Sequence, residues 1–151
     1  MYTVVLLLHS WIRWIALVAG FGATLAAVRG SGLSKPSSAE RWGLVLMMAL
    51  DIQLLLGLLL YLVLSPFTTE ALKDLGAAMK TPALRFWAVE HVTTMLAAIV
   101  LAHVGRVLAR TAKTPDAKRM RLIICFGLAT FAMLFGMPWP GMAGGRPLFR
   151  F

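Results

Sequence analysis

Arg85-Phe86-Trp87-Ala88-Val89-Glu90-His91-Val92-Thr93-Thr94 opens an apolar segment that runs on to Leu108 and carries an acid and an imidazole side by side near its start. The stretch from Phe86 to Leu108 exceeds the ~20 residues that cross a hydrocarbon core. Lipid tolerates no unsatisfied backbone group, and the segment lacks the period of two of a barrel strand, so it reads as a helix. Ionisable side chains inside such a span are costly, which makes Glu90 and His91 candidates for function.

Working outward, three more apolar stretches stand out: Val4–Val28, Trp42–Leu64 and Leu122–Met137, the last near the lower length limit. Of 151 residues, 60% are hydrophobic and 14% charged, far more apolar than a soluble domain. The expected fold is all-α: an integral membrane four-helix bundle, one domain over residues 1–151, with spans at 4–28, 42–64, 86–108 and 122–137. The first stretch is read as a retained helix, because Met1-Tyr2-Thr3 has no basic residue and Arg13 interrupts the apolar run.

The formal charge of +9 does not point to nucleic acid, since the Lys and Arg residues gather at the ends of the spans. Arg29, Lys35, Arg41, Arg106, Arg110, Lys113, Lys118, Arg119 and Arg121 fall on one side; Lys73, Lys80, Arg85, Arg146 and Arg150 fall on the other. The richer side is expected in the cytoplasm, so the 29–41 and 109–121 loops lie inside and both termini outside. Lys113 to Arg119 forms a basic turn suited to anionic headgroups. The single cysteine, Cys125, excludes an internal disulfide, and no CxxC or CxxCH spacing is present.

Helical spacing sorts the remaining residues into faces. His9 and Arg13 share a face with Ala16, Gly20, Ala23 and Ala27; His91 shares one with Ala88, Thr94, Ala98, Ala102 and Gly105. Small residues let helix backbones approach closely in lipid, so both rows are packing faces. In the second span Gln53 lines up with Ala49, Gly57 and Tyr61 on a face expected to be buried. Asp51 points to nearly the opposite side, with Met47, Leu54 and Leu58, and must find a partner or take a proton. Cys125, Ala129, Ala132 and Gly136 make the small face of the last helix. His103 is offset from His91 by roughly 120° and reads as an interfacial or helix-end histidine.

The connections carry their own signals. Ser31 to Ser38 is a polar linker, with Ser38 the expected cap of the second helix. Thr69 to Met79 is expected to form a short amphipathic surface helix near 69–80, roofing the end of the bundle where His9 and His91 emerge. Pro138 and Pro140 stop the last helix before an aromatic tail. Trp11 and Trp14 read as interfacial anchors, with pocket walls as the alternative.

His9 and His91 each sit about five residues into their spans, so both lie roughly 8 Å below the same membrane boundary at 1.5 Å per residue. Level imidazoles on two packing faces are what axial ligation of a haem needs. Arg13, one turn below His9, is expected to pair with Glu90, Asp51 or a haem propionate. Together Arg13, Asp51, Gln53 and Glu90 make the expected buried polar network.

At His9-Ser10-Trp11-Ile12-Arg13-Trp14, Gln53-Leu54-Leu55-Leu56-Gly57, Arg85-Phe86-Trp87-Ala88-Val89-Glu90-His91, Gly105-Arg106 and Pro138-Trp139-Pro140, the chain resembles short bacterial four-helix membrane proteins labelled cytochrome b-like. The resemblance implies a bacterial inner-membrane protein with His9 and His91 as ligands of one haem b and electron transfer as the role. Only His103 is left over, so a second haem has no ligand pair. The expected partners are the lipid bilayer and either a redox partner or a larger membrane complex, with quinone binding near Trp11, Trp14 and Trp87 left open. Two other classes stay open: a non-catalytic subunit of a larger membrane complex, and a proton-coupled transport path through Asp51, Glu90 and His91. The sequence carries no hydrolytic triad, metal-spaced carboxylate set or phosphate loop, so an independent enzyme is not expected.

Overall fold

The computed structural model describes residues 1–30 and 37–149, and these are helical with no strand. Most of the 31–38 linker, together with Lys35 and Arg150 of the orientation count, lies outside the described residues. Helix α1 is Tyr2–Arg29; α2 is Ser38–Leu59 and runs on into a widened π turn at Leu60–Leu64. Short helices α3 (Pro66–Lys73), α4 (Leu75–Lys80) and α5 (Pro82–Arg85) follow. A second π turn at Phe86–Glu90 leads into α6 (His91–Arg110), and α7 is Pro115–Phe135.

Three stretches are long and apolar enough to cross a membrane: Tyr2–Arg29, Ser38–Leu64 and Pro82–Arg110. The expected fourth span differs from its reading. Its helix starts earlier, at Pro115, with Thr114 accepting a hydrogen bond from Ala117 N at 3.1 Å, so its first turns are charged and only the rest is apolar. Proline suits the first helical position because its missing N–H would have no partner there.

α1 lies along α2 and α7, and α6 lies along α7 and, less closely, α2. The small-residue faces make these contacts, as expected. Ala16, Gly20, Ala23 and Ala27 are buried on α1, and Ala98, Ala102 and Gly105 on α6. At Gly20 a Cβ would overlap Thr130, at Gly43 the ring of Phe126, and at Gly105 the side chain of Cys125. Phe126 is fully buried as a result. Small residues at these positions are what allow so close an approach.

Ser37, not Ser38, caps α2: its hydroxyl accepts from Glu40 N at 3.3 Å while Ser37 N donates to Glu40 Oε2 at 3.1 Å, a reciprocal capping box. Lys118 Nζ reaches the same Glu40 oxygen at 2.8 Å and so ties the start of α2 to α7. Part of the stretch read as a basic loop has a different task. Arg119 donates to Ala27 O and Val28 O at 3.1 and 2.6 Å, and Arg121 to Leu108 O at 2.7 Å. These carbonyls end α1 and α6, where a helix leaves acceptors unmatched and its dipole favours a cation.

The single helix expected near 69–80 is two. Asp74 adopts an extended conformation and caps α4 through Ala77 N at 2.9 Å, which breaks the run. Ala71 and Ala78, one from each piece, are buried together with Ala88, so the pair does cover the end of the bundle where α6 begins.

Candidate functional site

The site is built where the two π turns meet. A π turn widens the helix by one residue and leaves its carbonyls loosely engaged. Tyr61, in the first, donates its hydroxyl to Ala88 O in the second at 2.9 Å, and Thr68 of α3 donates to Tyr61 O at 2.8 Å. His91 is the residue immediately after the second π turn.

His91 Nδ1 lies 2.7 Å from Gly136 O, just past the end of α7. A carbonyl can only accept, so Nδ1 carries the hydrogen and Nε2 keeps its lone pair. This is the arrangement in which a histidine is oriented for ligation, one nitrogen anchored and the other free. Gly136 has no room for a side chain, since a Cβ would meet Thr94 and Met95. Across from it stands His9 of α1, with ring centroids 6.4 Å apart and planes at 65°. Gly57 leaves space for the His9 ring: a Cβ there would lie 3.4 Å from His9 Cε1.

Between these helices lies a cavity of about 140 Å³. One water needs only ~10–15 Å³ of such space, so the cavity is far larger than a trapped solvent site. Its walls include both histidines, Gln53, Tyr61 and Trp87, with mostly aliphatic side chains and methionines elsewhere. His9 Nδ1 and Gln53 Oε1 are buried there with no hydrogen-bond partner among the described residues. Arg146 stands at the roof, its guanidinium 4.4 Å from the Phe67 ring centroid and 5.4 Å from that of Trp87.

Among the described residues no three His, Cys, Asp or Glu side chains gather as a metal-binding group. A zinc ion asks for three or four protein ligands, whereas a haem brings its own four nitrogens and asks the protein for axial ones. Two imidazoles on one cavity, with Arg13 and Arg146 among its lining residues, are a donor set of the kind that would suit a haem rather than a bare ion.

The structure brings His9, His91 and Gln53 to one cavity and separates the other expected site residues. Glu90 is exposed and paired with Arg85 at 2.7 Å, because it lies one position round from His91 and points away from the cavity. Asp51 is also exposed, and its Oδ1 lies 3.4 Å from His103 Nε2. Arg13 lines the cavity, but its guanidinium donates to Leu148 O at 2.6 Å and lies over the Trp14 ring. The expected ion pair of Arg13 with either acid is thus replaced by a backbone carbonyl of the tail. Trp14 Nε1 donates to the same carbonyl at 3.2 Å and stacks on Phe149, with Trp11 close to that ring. Trp11 and Trp14 therefore hold the tail, and only Trp87 of the three tryptophans lines the cavity.

Tyr61, Gly136 and Arg146 were not singled out from the sequence. Their contributions come from a π turn, a helix-end carbonyl and a folded-back tail, none of which has a residue-type signature. Comparison of the chain with protein-family models, curated proteins and solved structures finds no match.

Proposed function

We propose that the four long helices form an integral membrane bundle that holds one b-type haem between His9 and His91, near the outer face of a bacterial inner membrane, and serves electron transfer. The observation that carries this reading is the pair of facing imidazoles at 6.4 Å, with His91 Nδ1 committed to Gly136 O and Nε2 left free. A haem there would supply a one-electron centre whose potential the axial ligands and the surrounding dielectric set.

The protein's own contributions follow from the residues present. His9 and His91 would hold the iron, and Gly136 O fixes the tautomer and ring direction of His91. Gly57 keeps the wall beside His9 flat. Arg13 and Arg146, which line the same cavity, are the cations suited to propionates. The aliphatic walls exclude water. Gln53 Oε1 is an acceptor suited to a donor on His9 or on a quinol at the cavity.

Full-length protein expressed in cells with ample haem is expected to be coloured, with Soret and α/β bands lost in both His9→Ala and His91→Ala. A colourless but folded wild-type protein overturns the reading. Against the transport path, Asp51, Glu90 and His91 lie in three different environments.

A further inference from the structure

Asp51 is the middle residue of the Ser38–Leu64 span, yet its side chain is 52% exposed, and that of His103, on the Pro82–Arg110 span, 40%. At this depth exposure means lipid, where ionisable groups are costly. His103 Nδ1 lies 3.0 Å from Ile99 O and so carries a hydrogen, and Nε2 lies 3.4 Å from Asp51 Oδ1. An acid and an imidazole thus stand side by side, with much of their surface uncovered.

The surroundings repeat on both helices. On α2, Met48 and Leu55 flank Asp51 at i−3 and i+4 and are 57% and 69% exposed. On α6, Val100 and Val107 flank His103 at the same offsets and are 58% and 59% exposed. The result is a small apolar patch with a polar pair at its centre.

We infer that this α2/α6 face is where a second copy of the chain docks, with Asp51 of each copy meeting His103 of the other. Complementarity selects the occupant. A two-fold axis along the membrane normal keeps both copies in one orientation and leaves depths unchanged. Because Asp51 and His103 are level within one chain, the same axis sets each Asp51 beside the partner's His103. An isologous contact requires this reciprocity, residue i on j and j on i. The four groups then satisfy one another in a ring shielded from lipid by the Met, Leu and Val side chains.

The test uses the full chain in membrane vesicles and in mild detergent. Leu55→Cys and Val100→Cys, in a Cys125→Ser background, are expected to form oxidative cross-linked dimers, while Phe131→Cys on the opposite side of the molecule does not. Purified wild-type protein is expected to be dimeric by native mass spectrometry. The double variant Asp51→Leu/His103→Leu removes both polar groups at once, so it should fold, and its dimer dissociation constant should rise at least tenfold. A wild-type monomer, an undiminished dimer in the double variant, or cross-linking through Phe131→Cys alone overturns the inference. Each readout is independent of whether haem is bound.

Discussion

Gly136 and Gly57 stand on opposite sides of the same imidazole pair and respond differently to one added methyl. At Gly136 a Cβ would land on Thr94 and Met95, so Gly136→Ala must push α7 away from α6 and take the carbonyl that holds His91 with it. Overpacking of this kind costs about 1–3 kcal/mol. Thermal unfolding in detergent should show the loss. At Gly57 the methyl meets His9 Cε1 at 3.4 Å, ordinary contact, and alanine gains ~1 kcal/mol of helix propensity over glycine. Gly57→Ala should therefore be as stable as the wild type or more so; unfolding at lower temperature would show that the His9 ring stands closer to this position and leaves the methyl no room. His9 and His91 were legible as a pair because depth follows from counting along each helix. Their Gly136 partner was not, since no spacing rule reports which carbonyl lies opposite a ring.

Among the elements, the faces of the long helices could be read and their irregularities could not. Rows of Ala and Gly at helical spacing marked the buried sides of α1 and α6 correctly, because residue size alone decides how near two backbones come. The π turns at Leu60–Leu64 and Phe86–Glu90 are joined by a contact between distant segments, Tyr61 hydroxyl on Ala88 O, and local sequence holds no trace of it. Tyr61→Phe should cost about 1 kcal/mol through that lost bond, and more if Ala88 O is left buried without a donor. Asp51 was recognised as needing a partner, but its choice of His103 over Arg13 depends on which helices are neighbours. At the start of α2, Ser37→Ala removes the acceptor of the capping box and should lower stability by ~1 kcal/mol. Ser38→Ala should be near neutral, which unfolding of the two variants side by side would check.

For the molecule as a whole, the placement of charge relative to the membrane is the property open to direct test. Lys73 is exposed on α3 and Lys113 in the turn between α6 and α7, at opposite ends of the long helices. A membrane-impermeant thiol reagent added outside intact cells should label Lys73→Cys and leave Lys113→Cys unmodified, with the buried Cys125 silent in both. Labelling of Lys113→Cys alone would reverse the orientation. The excess of Lys and Arg on one side made this prediction possible without any structure. The arrangement of the helices was not available in the same way, since it depends on contacts between chain segments far apart, such as those of α1 with α7.

The tail that lies across Arg13 and Trp14 bears on how the protein is made. Leu148 comes 135 residues after Arg13 in the chain. At ~5–20 residues per second of synthesis, the first helix waits on the order of ten seconds before that carbonyl leaves the ribosome. During this interval α1 already holds a guanidinium, while α7, its neighbour in the finished fold, is also still to come. The contact between Arg13 and the tail therefore forms late, and replacing the segment around Leu148 should leave a protein that matures more slowly.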